Sequence, residues 1–303
     1  MKLYHGNALN MINKIENKSI QSIITSPPYF CLRDYEHVDQ IGLENQVDDY
    51  LEKLIQIWSI AKDKLKDDGL LFINIDDTYY YPRPSETKVW GMNANGDKRP
   101  AIQKHEGYKK SSLMAVPQKL IIKMIELGWI FRQQIIWQKP NCMPESTTSR
   151  FTRDYESIFM FSKSENYKFN QLKEDMKTTD LSRPRGSKGS LTENSGRRGE
   201  KSKKTEYERN MRSVWSINNV CSSNNNHYAT FPSELARRLI LCSTDENDIV
   251  LDPFTGSGTT LKVAKQLNRN GIGIEINKDY IKLAEKNIND LFTKVEIIKE
   301  ECI

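Results

Sequence analysis

A chain of 303 residues with 28% charged and 37% hydrophobic content can bury a large core, and it shows no apolar run near the ~18 residues that a membrane span needs. Five scattered cysteines without a Cys-x-x-Cys pair argue against a disulfide scaffold and a zinc knot, and nothing near the start reads as a secretory leader, so a cytoplasmic protein without metal or membrane partner is expected. The net charge of +5, with a pI near 8.7, permits a nucleic-acid partner without demanding one.

In chain order, residues 2–5 read as a very short strand, Gly6-Asn7 as a turn, and residues 8–14 as a turn or two of helix. Residues 20–26 form a short β-branched run, the pattern of a buried strand. It runs into Thr25-Ser26-Pro27-Pro28-Tyr29. Neither proline has an N–H to donate, and each biases the residue before it towards extended backbone, so the strand ends in a stiff turn. The turn offers a hydroxyl (Ser26), carbonyls and an aromatic face (Tyr29), a set suited to a flat, amine-bearing group. Residues 30–44 are irregular. Residues 47–65 form a helix whose apolar stripe is Val47, Leu51, Leu54, Trp58, Ala61 and Leu65, with Asp48, Asp49 and Glu52 in the first turn where the helix dipole favours them. Gly69 opens a strand over 70–75 that ends in Asp76-Asp77. Residues 80–112 carry no period and read as a long loop. A helix over 116–127 and strands over 130–138 and 156–162 follow.

The character then changes. Between Ser182 and Arg212 there are ten Lys or Arg against four acids, an excess that accounts for the basicity of the whole chain. The Gly and Ser content of this stretch denies it a core of its own, so residues 163–226 read as an insert, with residues 1–162 and 227–303 making one discontinuous domain. A helix over 233–242 leads to a strand at 249–251, which runs into Asp252-Pro253-Phe254-Thr255-Gly256-Ser257-Gly258-Thr259-Thr260. A helix reaches about residue 267, a strand over 271–276 carries Glu275, and Asn277 caps a helix over 278–292. The strand–helix alternation predicts an α/β fold on a parallel sheet.

A Gly256-x-Gly258 turn between strand and helix lets a ligand approach the backbone near a helix N-terminus. No Lys follows the glycines, so the turn is not a phosphate-binding P-loop. Asp252 repels a pyrophosphate and suits a cationic ligand. Glu275, nineteen residues after Gly256, is placed to accept both hydroxyls of a ribose. S-adenosylmethionine fits these features.

Together, TSPPY at 25–29 and DPFTGSGTT at 252–260 resemble the amino-group DNA methyltransferases, and more narrowly their permuted β group, in which the target-amine motif precedes the cofactor motif. Residues 136–141 (IWQKPN), 153–163 (RDYESIFMFSK), 213–215 (SVW) and 227–234 (HYATFPSE) sit in the order that group shows, so the resemblance covers nearly the whole chain. It implies a circularly permuted, Rossmann-like, S-adenosylmethionine-dependent sheet of order 3-2-1-4-5-7-6. Strands three, four and five would be residues 2–5, 20–26 and 69–75, and strands one and two would be 249–252 and 271–276. The pair at 130–138 and 156–162, one of them antiparallel, would close the sheet.

The resemblance assigns catalysis to Ser26, Pro27, Pro28 and Tyr29. It assigns the cofactor to Asn7, Phe231, Pro232, Asp252, Phe254, Gly256, Gly258, Thr259 and Glu275. Asn7 stands where the family often has Asp, and it is expected to meet the adenine ring. The insert becomes the target-recognition region for double-stranded DNA, with Arg183, Arg185, Arg197, Arg198, Lys203 and Lys204 on phosphates and bases. Cys31 follows Phe30 rather than a proline, so it does not match the nucleophile of carbon-5 methylation. Ser in the first motif position goes mostly with N4 of cytosine and Asp mostly with N6 of adenine, so N4-cytosine is expected and N6-adenine is the alternative. An inactive methylase fold that binds DNA is the alternative of another class. RNA and protein methylases mostly carry Asn-Pro-Pro-Tyr after the cofactor motif, an order this chain reverses. The expected partners are duplex DNA and a cognate restriction endonuclease, with the chain a monomer or a homodimer.

Overall fold

The computed structural model describes residues 1–35, 37–82, 89–92, 98–100, 107–175, 208–219, 231–289 and 295–300. The chain divides into one unit of Met1–Asn170 with Ser213–Ile303, and a second of Gln171–Arg212.

The first unit is a three-layer α/β arrangement on a nine-stranded sheet. Its strands are β1 (Lys2–His5), β2 (Ile20–Thr25), β3 (Leu65–Ile75), β6 (Ile130–Gln138), β7 (Tyr155–Ser162), β10 (Val214–Ser216), β11 (Ile249–Asp252), β12 (Asn270–Glu275) and β13 (Glu296–Lys299). Between β3 and β6 the short strands β4 (Val89–Met92) and β5 (Lys98–Pro100) pair antiparallel by themselves, inside the stretch that sequence leaves as loop. The second unit contains an antiparallel ribbon of β8 (Lys173–Asp175) and β9 (Glu208–Asn210), across which Arg209 Nε pairs with Glu174 Oε1 at 2.8 Å.

The sheet runs β10-β6-β7-β3-β2-β11-β12-β1-β13. Every neighbouring pair is parallel except those of β7, which is antiparallel to both β3 and β6. From β1 to β6 this is the expected order 3-2-1-4-5-7-6, with one extra strand at each edge. Strand β10, which falls within the expected insert at 163–226, pairs with β6 through Trp215 and Trp137. Strand β13 lies inside no expected element and, among the described residues, pairs with β1 alone. Strand β3 begins at Leu65, not Gly69, because Leu65 pairs with Ile20 while the polar residues after it hold the sheet's edge through ion pairs such as Lys66–Asp248 at 2.8 Å.

Among the described residues, six α-helices cover the two faces: α1 (Ala8–Met11), α2 (Val47–Lys64), α3 (Val116–Glu126), α4 (Ser233–Ser243), α5 (Thr259–Gln266) and α6 (Lys278–Ile288). Helices α1, α2 and α3 share one face, and α4, α5 and α6 pack side by side on the other. All six residues of β2 are buried, as a central strand covered on both faces requires. Alternation along it sends Ile23 into the α2 core, while Ser22 turns to α4 and meets Ser243 at 2.8 Å between hydroxyl oxygens. Helix α2 buries Tyr50, Leu51, Leu54, Ile57 and Trp58 in that core. Helix α3 starts on Ala115, whose backbone is left-handed and whose side chain caps nothing. Asp77, at the end of β3, caps the helix instead, accepting from Ala115 N at 2.9 Å and Val116 N at 3.0 Å. No helix among the described residues is long and apolar enough to cross a membrane.

Candidate active site

The central strands β2 and β11 pair through Ser22 with Val250 and Ile23 with Leu251, so both end at the same carboxyl edge. Thr25 Oγ1 donates to Asp252 Oδ1 at 2.7 Å, a buried bond across 227 positions of sequence. The proline turn and the glycine loop therefore leave the sheet side by side, at the edge where α/β sheets bind ligands.

In the proline turn Ser26 is half-buried and Pro27 buried. The Pro28 carbonyl accepts from the Tyr50 hydroxyl of α2 at 2.8 Å, which anchors the turn to the core. The Pro27 carbonyl has no hydrogen-bond partner among the described residues. Tyr29 packs its ring on the core and donates its hydroxyl to Glu156 Oε2 at 2.7 Å, while Ser26 Oγ donates to the Tyr29 oxygen at 3.4 Å. Burial, reinforced by the Glu156 carboxylate, holds the Tyr29 phenol well above its usual pKa, so it stays protonated. Cys31 is buried with positive φ and joins the core cluster.

Around Glu156 stand groups that sequence did not single out for a role. Asn74 Nδ2 donates to Glu156 Oε2 at 3.1 Å, and Lys139 Nζ forms an ion pair with Oε1 while lying 4.5 Å from the centre of the Trp137 ring. Arg153 pairs with Asp76 and donates to the Asp77 carbonyl at 3.0 Å. Burial pushes Asp76 up to about 6 against the pull of that guanidinium. Lys139, Arg153 and Glu156 all fall in the family-ordered stretches at 136–141 and 153–163, which was the one signal available for them.

The glycine loop is built around two carboxylates. Asp252 also accepts from Phe254 N at 3.1 Å and from the Thr260 side chain, and burial pushes it up to about 6. Glu275 accepts from Gly256 N at 2.8 Å through Oε2 and from Asn277 N at 2.8 Å through Oε1, and burial pushes it up to about 7. The Gly256 N–H is thus committed to Glu275 rather than aimed at a ligand. The Ile276 N–H is a third backbone donor to the Glu275 carboxylate, so of its four lone-pair directions one stays open for a ligand hydroxyl. Gly256 has φ of +52° and open space where a Cβ would stand, which leaves a cradle beside Glu275. Gly258 has φ of +84°, and a Cβ there would lie 3.0 Å from Ala284 Cβ. Gly258→Val should cost at least the ~1–2 kcal/mol of a left-handed side chain, with α6 displaced in addition, and urea denaturation would show it. An unchanged midpoint would contradict this packing.

Neither Asp252 nor Glu275 belongs to an ion pair among the described residues. The buried Asp252 and the half-buried Glu275, beside an open cradle, fit a cationic ligand with hydroxyls and oppose a phosphate. Phe254 sits edge-on to Trp58 with centroids 6.2 Å apart, and Thr259, the first residue of α5, is half-exposed. Pro232 opens α4 and Phe231 precedes it, half-buried. Because the last turn of α4 meets Ser22 and leads into the start of β11, its first turn lies towards the carboxyl edge. Asn7 follows β1 at that edge. Its Oδ1 caps α1 through Leu9 N at 2.8 Å, and its Nδ2 donates to the Asp39 carbonyl at 3.3 Å. Arg183, Arg185, Arg197, Arg198, Lys203 and Lys204 lie outside the described residues. No group of acidic, His and Cys side chains able to hold a metal ion occurs among the described residues.

Comparison with known proteins gives a concordant picture. A family model described as DNA methylase matches residues 20–286. The chain is 37% identical over 299 residues to the type II methyltransferase M.Cfr9I of Citrobacter freundii, covering 97% of this chain and 89% of that one. It is 34% identical over 293 residues to M.SmaI of Serratia marcescens, covering 95% and 90%. Among solved structures, the PvuII DNA methyltransferase (cytosine-N4-specific) superposes with a TM-score of 0.65 at 19% identity, covering 96% of this chain and 87% of that one. The DNA modification methylase TTHA0409 of Thermus thermophilus, complexed with S-adenosyl-L-methionine, gives 0.62 at 20% identity over 100% and 99%.

Proposed function

The chain belongs to the N6/N4 DNA methylase family, and from that premise we propose that it is a type II modification enzyme that methylates the exocyclic N4 of a cytosine in a short duplex sequence, shielding DNA from a cognate restriction endonuclease. S-adenosylmethionine, when bound, supplies the electrophilic sulfonium methyl. Asp252, Phe254, Gly256, Gly258, Thr259 and Glu275 would hold it, together with Asn7, Phe231 and Pro232. The fit rests on the unpaired acids and on the open cradle at Gly256.

The target amine is a poor nucleophile, because its lone pair is delocalised into the ring. Ser26 Oγ and the Pro27 carbonyl would accept its two hydrogens, drawing the nitrogen towards tetrahedral geometry and freeing the pair for in-line attack. Such a nitrogen is out of reach inside a duplex, so the base must leave the stack at a cost of a few kcal/mol, and stacking on Tyr29, worth roughly 1–3 kcal/mol, offsets much of it. The basic residues of 163–226 would hold the DNA backbone and read the site.

The observation that carries this reading is the Thr25–Asp252 bond, which puts the acceptor turn and the ligand loop on adjacent strand ends. The choice of cytosine rests on Ser26 at the head of the motif, and the PvuII enzyme whose fold the chain shares is cytosine-N4-specific. Digesting DNA methylated by the purified protein to nucleosides should yield N4-methylcytosine. Recovery of N6-methyladenine alone would overturn the choice of base.

A further inference from the structure

We propose that Glu156 is a positioning residue for methyl transfer, fixing through Tyr29 the direction in which the Ser26 hydroxyl points. The inference rests on the reading that Ser26 accepts a hydrogen from the substrate amine. A serine hydroxyl in that place can do harm as well as good. Turned one way, its lone pairs take an amine hydrogen. Turned the other way, its proton caps the nitrogen lone pair that must attack. Catalysis needs the first orientation held before the base arrives.

The structure contains a device that holds it. An ionised carboxylate can only accept hydrogen bonds. Glu156 receives the Tyr29 hydroxyl at 2.7 Å, the Asn74 amide at 3.1 Å and the Lys139 ammonium, so it enters this network only as an acceptor. With its proton committed to Glu156, the Tyr29 oxygen is left as an acceptor towards Ser26, whose Oγ donates to it at 3.4 Å. The Ser26 proton then points at Tyr29, and its lone pairs point away. That last bond is long, and it would tighten once the amine draws on the serine oxygen.

The partners come from separate elements, so the polarity does not depend on one loop. Glu156 lies on β7 opposite Trp137 of β6, Asn74 comes from β3, and Lys139 follows β6. Lys139 offsets the carboxylate charge, and its Nζ sits against the Trp137 ring, which keeps the ammonium on the Glu156 side. The same contacts pin the Tyr29 ring that would receive the base.

The test compares single-turnover methyl transfer to duplex DNA by the full chain in four forms: wild type, Glu156→Gln, Tyr29→Phe and the double variant, with Ser26→Ala as control. The glutamine amide can donate as well as accept, so the chain of donors loses its direction. Tyr29→Phe keeps the ring and removes the relay, and it leaves the Glu156–Lys139 pair intact should Glu156→Gln fold poorly. Each single variant should slow transfer about tenfold or more with S-adenosylmethionine affinity unchanged, and the double variant should be no slower than Tyr29→Phe. A Glu156 that merely supported the fold would cost further rate in the Tyr29→Phe background and would lower the melting temperature in step. Wild-type rates for Tyr29→Phe or Glu156→Gln, or fully additive losses, would overturn the proposal. A fully active Ser26→Ala would instead remove the amine-acceptor reading beneath it.

Discussion

Replacing Ser26 with Ala should lower the methyl-transfer rate by about 10²–10³-fold, the usual loss when one preorganised hydrogen-bonding group is removed from a developing charge. The Pro27 carbonyl would remain to hold one amine hydrogen, so residual activity is expected, not none. Ser26 is half-buried at a turn set by its prolines and by the Tyr50–Pro28 bond, so stability should stay within about 0.5 kcal/mol of wild type. Affinity for S-adenosylmethionine should be unchanged, since the glycine loop is held by Asp252 and Glu275 without help from the Ser26 hydroxyl. Rapid-quench transfer of a labelled methyl group checks the rate, and titration of the cofactor checks the rest. An equal loss of rate and cofactor affinity would place Ser26 in the wrong role.

The second large effect concerns Glu275 and pH. Burial pushes its carboxyl up to about 7 in the ligand-free chain, and that of Asp252 to about 6. A cationic ligand offering two hydroxyls favours the ionised forms, so binding should lower both pKa values and release protons. Affinity for S-adenosylmethionine should therefore be flat above about pH 7.5 and weaken as pH falls through 7, approaching tenfold per pH unit where a single proton is coupled. Glu275→Gln should remove the part of this dependence nearest pH 7. At pH 8 it should weaken binding about ten- to hundredfold, the measure of one or two lost hydrogen bonds to a charged group. The sign reverses for stability of the free chain. Folded Glu275 keeps a proton that the unfolded chain, with its ordinary value of 4.5, has released, so stability declines as pH rises from about 4.5 to about 7, and bound cofactor restores it. Calorimetric titration in buffers of different ionisation enthalpy reads the proton release directly, and no release at pH 6.5 would contradict the assignment.

What could be read in advance was whatever is encoded locally. The run at Ile20–Thr25 and the prolines after it, the glycine loop after Ile249–Asp252, and the stripe of α2 each carry their signal within a few residues. The relay to Glu156 does not. Its bond to Tyr29 spans 127 positions and exists only because β7 inserts antiparallel between β3 and β6 in one register, which no local pattern states. Strand β13 was hidden for a different reason: Glu296 and Lys299 are exposed, its two isoleucines are only half-buried, and its pairing with β1 at the far end of the chain leaves no local signal. Glu275 was legible as the acid at the end of its strand, but not as the acceptor that holds Gly256, because that bond depends on the left-handed turn folding back over β12.

A crystal structure of the chain with sinefungin, whose amine stands where the reactive methyl would be, tests whether the proline turn and the glycine loop share one site. The ribose should lie on Glu275 and the amine should face Ser26 across a gap that admits one nitrogen, roughly 6 Å. Sinefungin bound with its amine turned away from the proline turn, or with protein filling the space between Ser26 and the glycine loop, would contradict it.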